Sequence, residues 1–246
     1  MSTTESSLLG GRVLLRQAKA GYRAGMDAGL LAAACDAKTG ARVLDAGCGV
    51  GAVMLAAAHR RPGVSFTGVE RDPEMVALAR ENITANALEG RVNVIEARVG
   101  SPFASLGLAP FDAALANPPF FDDPAALRGP APAKRAAWLS SEGLGAWISF
   151  LIAAVRDGGA ITLIHRADRL ADLLAALGPK AGSFQIRPIA PFADAPAKRI
   201  IVRAVKAGKA PLRLLPPLIL HGRDLETKHT PLAEAILRGE AGLEWM

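Results

Sequence analysis

The tetrapeptide Asn117-Pro118-Pro119-Phe120 carries the most specific chemistry in the 246-residue chain. An amide or aryl NH2 is a poor nucleophile, because its lone pair is delocalised into the π-system. The Asn117 side-chain oxygen and the Pro118 carbonyl can each accept one N–H and turn that lone pair toward an electrophile. Consecutive prolines fix φ and remove two N–H donors, so the carbonyl between them is presented rigidly. Phe120 offers a flat face, and stacking of a base on an aromatic ring contributes ~1–3 kcal/mol. Asn117, Pro118, Pro119 and Phe120 are therefore the candidate catalytic residues. The bland alternative is a proline turn that ends a strand, with Phe120 in the core. No general base stands out, and none is required at the first step.

A second constellation lies upstream, in Asp45-Ala46-Gly47-Cys48-Gly49-Val50-Gly51. Glycines allow close backbone approach to a ligand and dihedrals that a Cβ forbids. The spacing is GxGxG, whereas a dinucleotide fold prefers GxGxxG. Glu70, followed by Arg71, stands nineteen positions past Gly51 and ends the next strand. A carboxylate there can accept both hydroxyls of a ribose through charge-assisted bonds of ~1.5–3 kcal/mol each. A nicotinamide dinucleotide and S-adenosylmethionine both carry that diol. The proline motif has no use in hydride transfer, whereas a methyl group on a positive sulfur needs mainly orientation. Asp45 is expected to face the amino-acid portion of that donor, or else to cap the following helix. Cys48 is expected to lend only its backbone.

The elements that must position these groups alternate. Strand 41–46 precedes the glycine turn and helix 50–60, and strand 64–69 leads into helix 73–86, with Pro73 in its first turn. Strands 91–96 and 111–116 follow, then helix 143–155, strand 160–164, helix 168–177, and strands 184–189 and 199–205. Alternation of this kind predicts an α/β fold with a parallel sheet covered by helices on both faces. One domain is expected over residues 1–246, with an N-terminal arm and helix in 1–40 and a long substrate loop at 122–137. Helical spacing in the tail, 225–238, is expected to pack on the sheet edge.

Composition narrows the partners. Half the residues are hydrophobic, which excludes a disordered chain. The longest apolar runs, such as 29–35 and 214–220, fall short of the ~20 residues that a membrane span needs. The first nine residues show no secretory signal, so a cytoplasmic protein is expected. Cys35 and Cys48 have neither CxxC spacing nor a neighbouring His cluster, which predicts no disulfide and no metal. Between Arg187 and Arg213 lie seven basic residues against one acid, Asp194. Arg12, Arg16, Lys19 and Arg23 form a second basic set, and Lys134-Arg135 a third. With Lys198 and Arg199 these are the candidate RNA-binding cations, although a solvated face explains charge runs about as often.

DAGCGVG (45–51), VERDP (69–73) and NPPF (117–120), in this order and spacing, resemble the Rossmann-type amino-methyltransferases of class I. GYRAGMDAGLLAA (21–33), AKRIIV (197–202) and HTPLAEAILR (229–238) extend the similarity to the bacterial tRNA(Val) adenine-N6 methyltransferases over nearly the whole chain. Those enzymes modify the adenosine beside the anticodon (tRNA position 37). The resemblance implies a seven-stranded, mostly parallel sheet with its last strand reversed, and S-adenosylmethionine as cofactor. It places that cofactor on Asp45, Gly47, Gly49, Gly51 and Glu70, catalysis on Asn117 to Phe120, and tRNA in the substrate role. Two departures stand out. The family often has an acid after the third strand for the cofactor's adenine, where this chain reads Glu96-Ala97-Arg98-Val99, so the contact is expected from the Val99 backbone. Phe120 replaces the commoner Tyr. NPP[FY] is shared with release-factor glutamine methyltransferases and rRNA guanine-N2 methyltransferases. The former usually carry a helical domain ahead of the sheet, and only about forty residues precede Ala41 here. A binding module that has lost catalysis is the rival from another class.

Overall fold

The computed structural model of the protein describes residues 2–19, 24–119, 143–223 and 226–245. The order of elements is β1 (Thr3–Leu8), β2 (Val13–Ala18), α1 (Met26–Ala33), β3 (Arg42–Ala46), α2 (Ala52–Arg60), β4 (Ser65–Glu70), α3 (Pro73–Ala85), β5 (Val92–Glu96) and β6 (Phe111–Ala116). Then come α4 (Gly143–Ala154), β7 (Val155–Arg166), α5 (Leu170–Leu177), β8 (Ala181–Ala190), β9 (Arg199–Lys206), β10 (Arg213–Leu214), β11 (Leu218–Ile219) and α6 (Pro231–Leu237).

Side chains on a strand alternate between its two faces, and here that alternation sorts the core into two layers. Val43, Phe66, Leu115 and Ile201 belong to one apolar cluster, with residues of α1, α2 and α3. Leu44, Ala114, Ile161 and Val202 belong to the other, with residues of α4 and α5. The sheet runs β10-β8-β9-β7-β6-β3-β4-β5, and β11 also pairs with β8. Strand β9 is antiparallel to β7 and β8, and the remaining pairs are parallel. The expected seven strands with a reversed last one are therefore present. Two strands of two residues each add to the outer side of β8.

Several expectations need correction. The N-terminal arm is not irregular: β1 and β2 form an antiparallel hairpin in register from Thr3–Ala18 to Leu8–Val13. Strand β7 begins at Val155, well before residue 160, and its register against β6 shifts between Phe111 and Ala113 to accommodate Gly158 and Gly159. The tail helix α6 meets the sheet edge only at its start. Thr230 ties its start to β11, donating its hydroxyl to Ile219 O at 2.7 Å, while the helix body packs on α1. The 122–137 loop lies outside the described residues, as do Arg23, Phe120, Lys134 and Arg135. Among the described residues no helix is long and apolar enough to cross a membrane.

The outer edge of β2 is finished by a helix. Asn86 accepts from Leu14 N at 2.9 Å and donates to Leu14 O at 2.8 Å. One turn back, Asn82 accepts from Arg16 N at 2.7 Å and donates to Arg16 O at 3.0 Å. Two amides four residues apart share one helix face, and here they imitate two rungs of a strand on an edge that would otherwise be bare.

Candidate active site

Strands β3, β4 and β6 end side by side. Ala46 pairs with Ala116 on one side and Val69 on the other, so Gly47, Glu70 and Asn117 leave the sheet at one level. Carboxyl ends of parallel strands are where open α/β sheets hold ligands.

The glycine turn is built from backbone bonds. Gly47 N and Cys48 N both donate to Val69 O, at 2.8 and 3.1 Å, and Gly51 N donates to Cys48 O at 2.9 Å. Gly47 has φ +67°, and a Cβ there would stand 2.3 Å from Trp147, whose buried indole lies against the turn. Glycine is required twice over, by conformation and by space. At Gly49 an added Cβ would meet nothing within 4 Å among the described residues. Cys48 does more than lend its backbone. Its buried thiol covers Gly68, where a Cβ would come within 2.5 Å of Sγ, and burial raises the thiol pKa well above the ordinary value.

Glu70 closes the turn from the adjacent strand. Its Oε2 accepts from Gly49 N at 3.0 Å, and Oε1 accepts from Arg71 N and Asp72 N at 2.8 and 2.9 Å. The carboxylate is thereby aimed along the strand end by three backbone donors, and Arg71 enters through its backbone N–H. Asp45 is 1% exposed and accepts from Met54 N at 3.0 Å, in the first turn of α2. The capping alternative is thus realised from the end of β3, because Gly51 at the cap position has no side chain to offer. Burial pushes the Asp45 carboxyl up to about 7, with the charge of Glu70 adding to the rise and the Met54 bond opposing it. Val99 is buried with Ala46, Val69 and Phe103 in the core layer on the α4 side.

Asn82 had no place among the sequence candidates, yet it is 1% exposed and donates to Val50 O at 3.0 Å as well as to Arg16 O. One side chain so joins the cofactor turn to the N-terminal hairpin. The only signal for it was the Asn82/Asn86 spacing. On the substrate side, Asn117 follows β6 next to the glycine turn, and Pro118 is buried. His165 closes β7 beside them. Its Nδ1 accepts from Arg166 N at 2.8 Å, which fixes the ring. Burial first, then Arg169, Arg166 and Arg199, lower its pKa to about 4, so the imidazole is neutral.

The candidate RNA-binding cations divide. Arg12 donates to Arg238 O at 3.0 Å, and Arg16 pairs with Glu81 at 3.0 Å and Glu5 at 3.4 Å. Arg199 pairs with Asp27 at 3.1 Å, and Arg203 with Asp36 at 2.8 Å. Arg187 donates to Pro216 O and Glu244 O, at 3.0 and 2.6 Å. These side chains tie strands and tail to the body, a structural duty that their sequence clustering concealed. Lys19 and Lys198 are exposed.

Comparison with known proteins agrees with the geometry. The family described as Methyltransferase small domain matches residues 23–129. A tRNA1(Val) (adenine(37)-N6)-methyltransferase of Aeromonas salmonicida is 36% identical over 110 residues, 44% of this chain and 45% of that protein. A release factor glutamine methyltransferase of Gloeobacter violaceus is 36% identical over 86 residues, 35% of this chain and 29% of that protein. The chain thus spans less than half the length of these curated relatives. A crystal structure described as a predicted O-methyltransferase from Agrobacterium tumefaciens superposes with a TM-score of 0.74 at 30% identity, covering 88% of this chain and 98% of that one. With that near-complete match, the strand order and the glycine turn beside Glu70, the chain belongs to the class I S-adenosylmethionine-dependent methyltransferases.

Proposed function

We propose that this protein transfers the methyl group of S-adenosylmethionine to the N6 of an adenine in tRNA, at the adenosine beside the anticodon. The observation that carries the reading is the exit of Asn117 from β6 next to Gly47 of β3. An acceptor for an NH2 group and a nucleoside-binding turn then share one strand end. The residues suit the cofactor: Gly49 leaves room among the described residues for a ligand against the backbone, and Glu70, held by three N–H groups, faces it with a carboxylate for a ribose diol.

When bound, S-adenosylmethionine supplies a methyl group already activated by its positive sulfur. The chain's own residues supply orientation. The Asn117 side-chain oxygen and the Pro118 carbonyl each accept one N–H of the target amine. With both hydrogens held, the nitrogen lone pair leaves the plane of the base and points toward the glycine turn. Trp147 and the buried Pro118 keep this wall apolar, so the amine's hydrogen bonds are made to protein and not to water. A well-oriented encounter of this kind removes ~7–11 kcal/mol of entropic and solvent cost in favourable cases.

The tRNA relative supports the substrate class, and the exposed Lys19 and Lys198 suit a phosphate backbone. The test is mass spectrometry of nucleosides from tRNA incubated with the protein and labelled cofactor. N6-methyladenosine beside the anticodon is expected. Label on a release-factor peptide with tRNA left unmodified overturns the substrate assignment.

A further inference from the structure

Where β8 ends, the chain builds a stack of flat groups that methyl transfer itself does not use. His221 and His229 stack at 5.1 Å between ring centroids, and Phe192 lies 5.6 Å from His221. The guanidinium of Arg223 covers Phe192 at 4.6 Å. Asp194 holds that guanidinium by its Nε and Nη2, at 3.2 and 3.1 Å. The frame is fixed by backbone: Leu220 N and His221 N donate to Ala190 O and Pro191 O, each at 2.9 Å, and Thr230 N returns to Leu220 O at 2.9 Å.

Arg223 is held on two sides. Its side chain is 61% exposed, yet its plane is set by a ring beneath and a carboxylate at its edge. Asp194 occupies the donor edge that would otherwise grip a phosphate in bidentate fashion. The guanidinium, with Phe192 on one side and Asp194 on that edge, is still largely exposed. Guanidinium planes and aromatic rings are the surfaces on which unstacked RNA bases lie.

The position fits the same substrate. Strands β6, β7, β9 and β8 are successive neighbours, and β8 runs parallel to β6, so its carboxyl end opens on the same edge as Asn117. Three strand spacings separate them, ~15 Å, which is a span of a few nucleotides. Exposed Lys198 enters β9 between the two, its N–H held by Ile189 O at 3.1 Å.

We propose that Arg223, backed by Phe192, is a docking platform for one unpaired base of the RNA, a few nucleotides from the base whose amine meets Asn117. The proposal rests on the tRNA reading above and names a second point at which the RNA is gripped. Shape selection would follow, because only a loop with splayed bases reaches both points.

The experiment measures KM for tRNA and kcat in Phe192→Leu, Phe192→Tyr and Arg223→Lys, together with cofactor affinity. Phe192→Leu keeps volume and loses the plane; Arg223→Lys keeps charge and loses the plane. Each is expected to raise KM for tRNA about tenfold or more, with kcat and cofactor affinity unchanged. Phe192→Tyr is expected to restore the KM. If Phe192→Leu folds poorly, Arg223→Lys, an exposed change, decides alone. 2-Aminopurine placed along the anticodon loop provides a second readout: a rise in fluorescence on unstacking is expected at one position besides the target, and it disappears in Arg223→Lys. Unchanged KM and an unchanged fluorescence rise in Arg223→Lys, with the unaltered protein methylating tRNA, overturn the platform alone. If the unaltered protein leaves tRNA unmethylated, the reading beneath the proposal falls, and the platform with it.

Discussion

The cofactor half of the site and the substrate half are held by different forces. The first is contiguous, running from β3 through the glycine turn to Glu70 and Asp72, and its bonds are backbone to backbone or backbone to a carboxylate. The second is gathered from the ends of β6, β7, β8 and β9, and is tied by side-chain pairs such as Arg199–Asp27 and Arg166–Asp168. Backbone bonds in a short closed turn cost little entropy to keep, whereas half-exposed ion pairs are screened and contribute ~0–1 kcal/mol each. A preorganised cradle for the cofactor beside a more compliant edge follows from that contrast.

The largest effect that tests the division is Asn117→Ala. The fold and cofactor affinity should survive, because the bonds of Gly47 and Cys48 to Val69 O and of Gly49 to Glu70 do not involve this side chain. Single-turnover methyl transfer should fall by about a hundredfold or more, the scale of losing one oriented hydrogen-bonding group at the reacting atoms. A near-normal rate would show that Asn117 does not hold the amine.

Next in size is Asn82→Ala. It leaves Arg16 N, Arg16 O and Val50 O without this partner in a buried place, at a cost of ~1–3 kcal/mol for a buried polar group left unsatisfied. A lower denaturant midpoint and a weaker cofactor are both expected, because the side chain touches the turn as well as the hairpin. A stability loss with cofactor affinity intact would mean that the hairpin and the turn are independent.

Glu70→Ala should weaken cofactor binding by one to two decades, from ~1.5–3 kcal/mol of lost charge-assisted bonding. Calorimetry reads this directly, and unchanged affinity removes Glu70 from the ribose. Asp45 gives a smaller, pH-dependent signal. Its carboxyl titrates near 7 in the fold, against an ordinary value of ~3.9. Between those limits the folded chain keeps a proton that the unfolded chain has lost. The stability from this group is therefore full below pH ~4 and is lost as pH rises through about 7. Asp45→Asn retains an acceptor for Met54 N and should flatten that decline, seen as a smaller difference in urea midpoint between pH 5 and pH 8.

The same division governs what could be read from the sequence. Glycines, a strand-end acid and a proline pair are local, so β3, α2, β4 and β6 were legible with the groups they carry. Val43 and Leu44 show why: both are fully buried, one toward each layer, and a short continuous apolar run marks a strand covered on both faces. The hairpin was missed because Thr3–Leu8 is polar and half-exposed, and its outer edge is completed by Asn82 and Asn86 from a helix far along the chain. The basic segment misled for a related reason. Asp27 and Asp36 sit more than 160 positions before their partners Arg199 and Arg203, so a local charge count could not see the pairing.

That pairing separates two neighbours that composition treats alike. Lys198 is exposed, whereas Arg199 is about one-third exposed and bonded to Asp27 at the start of α1. If Lys198 meets a phosphate, Lys198→Ala should lower the slope of log affinity for tRNA against log salt by ~0.7–0.9, the value of one released counterion. Its melting temperature should not move. Arg199→Ala should do the reverse, leaving the salt slope in place and costing up to ~1 kcal/mol of stability through the lost Asp27 pair. Filter binding across a decade of salt and a denaturant titration suffice for both variants. A slope that falls equally in the two would mean that the Arg199–Asp27 pair opens when RNA arrives. The compliant half of the site would then rearrange on binding, and the rigid half alone would be preformed.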